Sequence, residues 1–391
     1  MTRQALSATQ VFDGTTLKAS ATVLLNRDGR IEALQPHSLP LPKGTQVQHL
    51  GPGILAPGLV DLQVNGGAGE MVGQTTDVAQ LARICATHAR LGATGILPTL
   101  ITNNPGVTRQ VIEAGVLAAW RGVAGFAGLH LEGPHLDPAR KGAHDESLIR
   151  PMDNEDLSLL CEAAQALPAL MVTVAPCAVT LEQIARLARA GVIVSLGHSD
   201  CPAEEAHAAH RAGARCVTHL FNAMSGLQAR MPGLSGAALS SGLRAGIIAD
   251  GVHVAPECLH ISLRMKALDD LFLVSDAMAV AGTDLEHFSL NRREIRRESG
   301  RLTLADGTLA GADVTLPQSL AHLVGLGVAP ERALAMASRI PADIIGAADR
   351  GRIAPGARGD LVLLGPDMTL RGVWVAGELS WREDTKRSMR R

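Results

Sequence analysis

Eight short apolar runs recur between residues 56 and 345: GLVDLQV, TGILPTL, GFAGLHL, LMVTVA, VIVSL, RCVT, GIIA and LFLVS. Runs of this length, rich in Val, Ile and Leu and without polar alternation, predict strands buried on both faces. Between them apolar positions follow a helical spacing, over 77–91, 153–167, 181–190, 202–212 and 256–268. Asp77 and Asp153 suit N-cap positions, and Gly92, Gly191 and Gly213 suit helix ends. Eight strands alternating with helices predict an α/β chain folded as a (β/α)₈ TIM-like barrel. An open doubly wound sheet is the runner-up. No GxGxxG or Walker sequence opens a strand–helix unit, so nucleotide binding has no support.

The two ends have a different texture. ATVLLNRDGRIEAL reads as a hairpin, two apolar runs joined by Asn26–Gly29, and Pro-rich punctuation follows at Pro36, Pro40, Pro42, Pro52 and Pro57. The C-terminal stretch RIAPGARGDLVLLGPDMTLRGVWVAGELSW again alternates short strands with Gly and Pro turns. The expected organisation is a small β-sandwich domain built from residues 1–55 and 346–391, flanking a barrel over 56–345. The charged tail 382–391 is expected to fray.

Composition narrows the function classes. The chain has 391 residues, 46% of them hydrophobic, enough for one large core and a smaller one. Net charge is −2, and aromatics are scarce, with no Tyr, 3 Trp and 5 Phe. Neither a nucleic-acid partner nor a membrane surface is favoured. The 6 cysteines form no CxxC pair, which indicates neither a disulfide framework nor a zinc ribbon. With no signal-peptide pattern and no long apolar span, a soluble, cytoplasmic protein is expected.

The chemistry gathers where apolar runs end. Gly197 and His198 follow the fifth run at once, and His219 the sixth, while Glu132 closes the third. Two imidazoles and a carboxylate leave a position open, the design of a catalytic rather than structural metal site. Such a site activates water and polarises a carbonyl, with zinc or iron as the natural ion. Asp276, in LVSDAM after the eighth run, is a candidate general base and acid. Gln63 and Asn65 end the first run, and Asp250 and His253 follow the seventh. His144 in KGAH and His253 in DGVH are candidate hydrogen-bond donors to a polar substrate. The backbone at Asn222-Ala223 together with Arg230 could clamp a phosphate, since guanidinium binds phosphate oxygens bidentately.

The motifs PGLVDLQVNGG, GLHLEGPHL, KGAH, SLGHSD, THLFNAM, DGVHV, LVSDAMAVAG and DGTLAG occur in this order over nearly the whole chain. Together they resemble the N-acetylglucosamine-6-phosphate deacetylases of the amidohydrolase superfamily. The resemblance implies hydrolysis of an acetamide on a phosphorylated amino sugar, releasing acetate and glucosamine 6-phosphate. It implies metal ligation by Glu132, His198 and His219, and proton transfer by Asp276. Substrate contacts are implied at Gln63, Asn65, His144, Asn222, Ala223, Arg230 and His253. It also implies a homodimer, whose phosphate clamp is completed by the neighbouring subunit in some members.

Many superfamily relatives carry His-x-His after the first strand, holding a second metal. This chain has Gln63-x-Asn65, and neutral amides are poor ligands, so one divalent metal per subunit is expected, zinc first, with iron, cobalt or manganese as alternatives. Two other departures stand out. Met231 follows Arg230 where the family often reads HREPG, and Ala312-Asp313 follow LAG where it usually has a serine. Two rival functions remain: another amidohydrolase acting on a different N-acyl or cyclic amide, and a non-catalytic sugar-phosphate binding protein.

Overall fold

The computed structural model describes residues 2–383, so most of the charged tail, 384–391, lies outside the described residues. The chain divides into two compact units. One comprises 1–60, 88–95 and 316–391, the other 61–87 and 96–315.

Eight parallel strands form one nearly closed barrel in sequence order: Leu59–Val64, Ala93–Ile101, Leu129–Glu132, Leu170–Val174, Ile193–Leu196, Cys216–Val217, Arg244–Ile247 and Leu271–Leu273. They coincide with the eight apolar runs, and nearly every strand residue is buried, as a sheet covered on both faces requires. Closure between the first and last strands comes from a parallel bridge of Val64 with Ala277. Two backbone bonds support it, Asp276 N to Gln63 O at 3.0 Å and Asn65 N to Ala277 O at 2.8 Å.

The helices between strands follow the predicted caps. Asp153 forms a capping box with Asp156 at the start of Asn154–Ala166, and Asp77 accepts the Gln80 N–H at 2.7 Å beside Val78–Arg90. Helix Pro105–Trp120, absent from the sequence reading, is also conventionally capped, with Asn104 accepting from Val107 N and Pro at its first position. No helix among the described residues is long and apolar enough to cross a membrane.

The strand-rich unit is built from both ends of the chain. Its sheet runs Glu378–Arg382, Leu370–Val375, Leu361–Leu364, Ile54–Pro57, Gln4–Phe12, Leu17–Leu25, Ile31–Pro36, with Gln46–His49 beside Gln4–Phe12. Leu17–Leu25 and Ile31–Pro36 pair antiparallel across the Asn26–Gly29 turn, as the hairpin pattern predicts. Leu6, Val23, Leu55, Leu363 and Trp374 lie in a buried cluster on this sheet, joining N-terminal and C-terminal strands in one core.

A four-stranded antiparallel sheet, His287–Leu290, Arg293–Glu298, Arg301–Thr303 and Leu309–Ala312, is inserted after the last barrel strand. The sequence reading did not separate it from the barrel. Its last strand docks through Ala312 N to Asp276 O at 3.0 Å. Gly311 permits that approach: at φ +65°, a Cβ there would lie 2.5 Å from Met278 Cγ and 2.8 Å from Asp276 O.

Candidate active site

The C-terminal ends of the barrel strands converge on a cavity of about 270 Å³. Glu132, His198, His219, Asp276, Asn65, His144, Asn222, Ala223 and His253 all line it. Four of these residues hold left-handed backbone: His198 at φ 46°, His219 at 29°, Ala223 at 48° and Asp276 at 51°. Non-glycine residues adopt this conformation only where the surroundings impose it, and such positions concentrate at functional sites.

Glu132, His198 and His219 are buried, and their ligand atoms lie within 4.8 Å of one another. Glu132 Oε1 is 3.1 Å from His198 Nε2 and 3.0 Å from His219 Nε2, and the two imidazole nitrogens are 3.1 Å apart. His198 Nδ1 donates to the Arg140 carbonyl at 2.9 Å, which leaves the Nε2 lone pair of the neutral ring facing inward. A carboxylate oxygen and an imidazole lone pair aimed at one point, with a second imidazole beside them, fit a divalent cation. No other group of this kind was found among the described residues.

Asp276 faces the triad. Its Oδ1 accepts the Asn65 amide at 2.6 Å and the Gln63 amide at 3.0 Å. Gln63 Nε2 also donates to Glu132 Oε1 at 3.1 Å, so one amide spans both carboxylates. Burial, and next the charge of Glu132, push the Asp276 carboxyl up to about 6. A group titrating there can both accept and return a proton near neutrality. Burial also acts on Glu132, but hydrogen bonds and charge from His198 and His219 hold it well below the usual carboxylate range.

Two histidines present ring nitrogens to the cavity. His144 Nδ1 accepts the Thr102 N–H at 3.3 Å and lies 2.7 Å from Thr102 Oγ1. Its proton therefore sits on Nε2, 3.8 Å from Glu132 Oε2. Burial, then the nearby His198, lower its pKa to about 3, so the ring is a neutral donor. His253 Nδ1 bonds Asp250 Oδ2 at 2.6 Å, and its buried Nε2 has no partner among the described residues. Asn222 spends its amide on the His219 and Leu220 carbonyls, at 3.3 and 3.4 Å, which anchors the turn that brings Ala223 to the cavity.

Arg230 is placed elsewhere. It is exposed and lines a separate space of about 300 Å³ with Arg140, Asp200, Ser225 and Gln228. Asp313 turns to Arg297, accepting its Nε–H at 2.7 Å, while Leu309 and Gly311 of the same stretch border the cavity. Met231 is exposed, 67% accessible.

Several contributors escaped the sequence reading. Leu290, Thr308 and Leu309 of the inserted sheet line the cavity with Ile101 and Met278. His130, two residues before Glu132, bonds Leu62 O through Nδ1 at 3.1 Å and Thr173 Oγ1 through Nε2 at 2.7 Å. The chain of contacts continues from Thr173 to Thr218 and Ser195, each step 2.7 Å. Burial lowers His130 to about 4, so it is neutral and ties the strands that carry Glu132 and His219.

Known proteins share this architecture. The amidohydrolase family model matches residues 54–380. The chain is 37% identical over 337 residues to an N-acetylgalactosamine-6-phosphate deacetylase of Shewanella sp. (strain ANA-3), covering 86% of this chain and 85% of the relative. It is 34% identical over 359 residues to an N-acetylglucosamine-6-phosphate deacetylase of Haemophilus influenzae, covering 90% and 93%. Among solved structures, the N-acetyl-D-glucosamine-6-phosphate deacetylase of Mycobacterium smegmatis, an aspartate-to-alanine variant in complex with N-acetyl-D-glucosamine-6-phosphate, matches with TM-score 0.89 and 30% identity, over 97% of this chain and 100% of that one. With most of its length matched by the family model and by these relatives, the chain belongs to the amidohydrolase family.

Proposed function

We propose that this protein hydrolyses the acetamide of an N-acetylhexosamine 6-phosphate, N-acetylglucosamine 6-phosphate in the first instance, to acetate and the free amino sugar phosphate. The carrying observation is the convergence of Glu132 Oε1, His198 Nε2 and His219 Nε2 beside Asp276 in one buried cavity. A divalent cation held by those three residues, zinc first, supplies Lewis acidity that polarises the acyl carbonyl and acidifies water. Asp276 takes the proton of the attacking water and returns it to the departing amine. The amides of Gln63 and Asn65 hold that carboxylate in place. His144 offers its Nε2–H to the substrate, and the unpaired Nε2 of His253 meets a sugar hydroxyl. The turn at Asn222–Ala223 receives the phosphate end. The substrate class is also supported by the Mycobacterium smegmatis relative, which was solved in complex with N-acetyl-D-glucosamine-6-phosphate.

The 37% identity to a galactosamine-phosphate deacetylase supports the galacto epimer as a second substrate. The test is acetate and free-amine release from both epimers, with protein loaded separately with zinc, iron, cobalt and manganese. Release from either epimer supports the reading. No release in any loaded form overturns it.

A further inference from the structure

The cavity has two unlike sides. Barrel strands five to seven lead to the polar His198, His219, Asn222 and His253, with Ile248 the large apolar side chain among them. Strands two and eight and the inserted sheet bring Ile101, Met278 and Leu290, all apolar. These three belong to one packed cluster and are 8%, 2% and 5% exposed. Behind them lies a larger space of about 670 Å³, lined among others by Asn103, Asn104, Ser289 and Asn291. Ile101 and Leu290 line both spaces, so these two side chains are the partition between them.

We propose that Ile101 and Leu290 set the length of the acyl group the site accepts, and that trimming either opens the polar space behind to longer acyl chains. The inference rests on the deacetylase reading above. In an amide, the acyl substituent and the nitrogen lie on opposite sides of the carbonyl carbon. With the sugar phosphate toward Asn222 and His253 and the carbonyl at the Glu132–His198–His219 cluster, the acyl substituent points away from strands five to seven. It then meets Met278, Ile101 and Leu290. A methyl group is favoured against such a wall because its burial removes apolar surface from water. A longer chain meets a packed cluster that yields only by shifting side chains.

The chemistry is unchanged by chain length. Water gives its hydroxyl to the acyl carbon, the C–N bond breaks, and a proton goes to the amine. No other reactant is needed.

The test compares N-acetyl, N-propanoyl, N-butanoyl and N-hexanoyl glucosamine 6-phosphates with wild type, Ile101→Ala and Leu290→Ala, metal content being measured in each. One methylene in an apolar pocket changes kcat/KM by about 10–200-fold. The butanoyl-to-acetyl ratio of kcat/KM is therefore expected to rise at least about tenfold in either variant. Should an alanine variant fail to fold, Ile101→Val and Leu290→Val make the same comparison, with a smaller rise expected in the same direction. An unchanged ratio, in variants that keep metal and acetyl turnover, overturns the inference and leaves the deacetylase reading standing. A wild type inactive on every acyl derivative overturns that reading instead.

Discussion

The Asn65 side-chain nitrogen lies 2.6 Å from Asp276 Oδ1, across the closure of the barrel between its first and last strands. A strand end carrying imidazoles at this place would bind metal. Here it offers N–H groups, which hold a carboxylate and repel a cation. Gln63 adds a second donor to the same oxygen. Elemental analysis of purified protein is therefore expected to find about one divalent ion per chain. A stoichiometric pair of ions in the site would contradict this account of Gln63 and Asn65.

Asp276→Asn keeps the size of the side chain but cannot accept the water's proton. General acid–base groups contribute about 10²–10⁴-fold, and a loss of kcat in or beyond that range is expected. Metal content and binding of a non-hydrolysable analogue should stay near wild type. Near-normal turnover with metal in place would leave Asp276 a merely structural partner of Asn65.

The acid limb of activity should follow the same group. As the proposed base, Asp276 would act in its ionised form, and burial with the charge of Glu132 raises it to about 6. Activity therefore falls as pH drops through that value. A bound cation favours the carboxylate, so the midpoint in the loaded enzyme is expected at or below about 6. A pH–rate profile of kcat/KM with its acid midpoint above 7 would point to a different base.

Arg230 lies outside its own chain's cavity; in a homodimer of the kind the resemblance implies, it would bind the phosphate of the partner's site. Arg230→Ala should raise KM for phosphorylated substrate by about tenfold or more, and barely change an unphosphorylated analogue, because a charge-assisted bond remote from the amide is removed. Mixed dimers of Arg230→Ala and Asp276→Asn chains should regain one intact site, since each chain supplies what the other lacks. Were Arg230 to act within its own chain, no site in the mixture would be whole and the wild-type KM for phosphorylated substrate would not return.

Asp61 offers a stability test. Its carboxyl is fully buried, accepting from Ser275 N and Gln63 N, and burial raises it to about 7. Between about pH 4, its ordinary value, and about pH 7 the folded chain keeps a proton that the unfolded chain has lost. Folding stability should therefore fall as pH rises through that window, by at most about 1.4 kcal/mol per pH unit from this group. Asp61→Asn retains an acceptor and removes the titration, so urea unfolding across the window should show a shallower slope. An unchanged slope would mean Asp61 does not carry it.

The barrel and the grouping of candidate metal ligands were legible in the chain because both depend on local order. An apolar run such as Val192–Leu196 needs no partner to be read as a buried strand, and a histidine just past it, after Gly197, sits at the strand's end whatever the neighbours. His198, His219 and Glu132 are all placed at strand ends by that reading. The inserted sheet was visible in principle: Phe288, Leu290, Ile295, Leu302 and Leu304 alternate mostly with polar or charged residues, and Asp306-Gly307 marks a turn. What no local pattern carries is the closure of the barrel. Only the meeting of the first and last strands sets Gln63 and Asn65 against Asp276, and only the docking of Ala312 on Asp276 brings Leu290 to Ile101. The same holds for the His144 tautomer, fixed by Thr102 forty-two residues earlier, and for Arg230, which shares a motif with the site but not its cavity. Those relationships join residues far apart in the chain, and packing decides them.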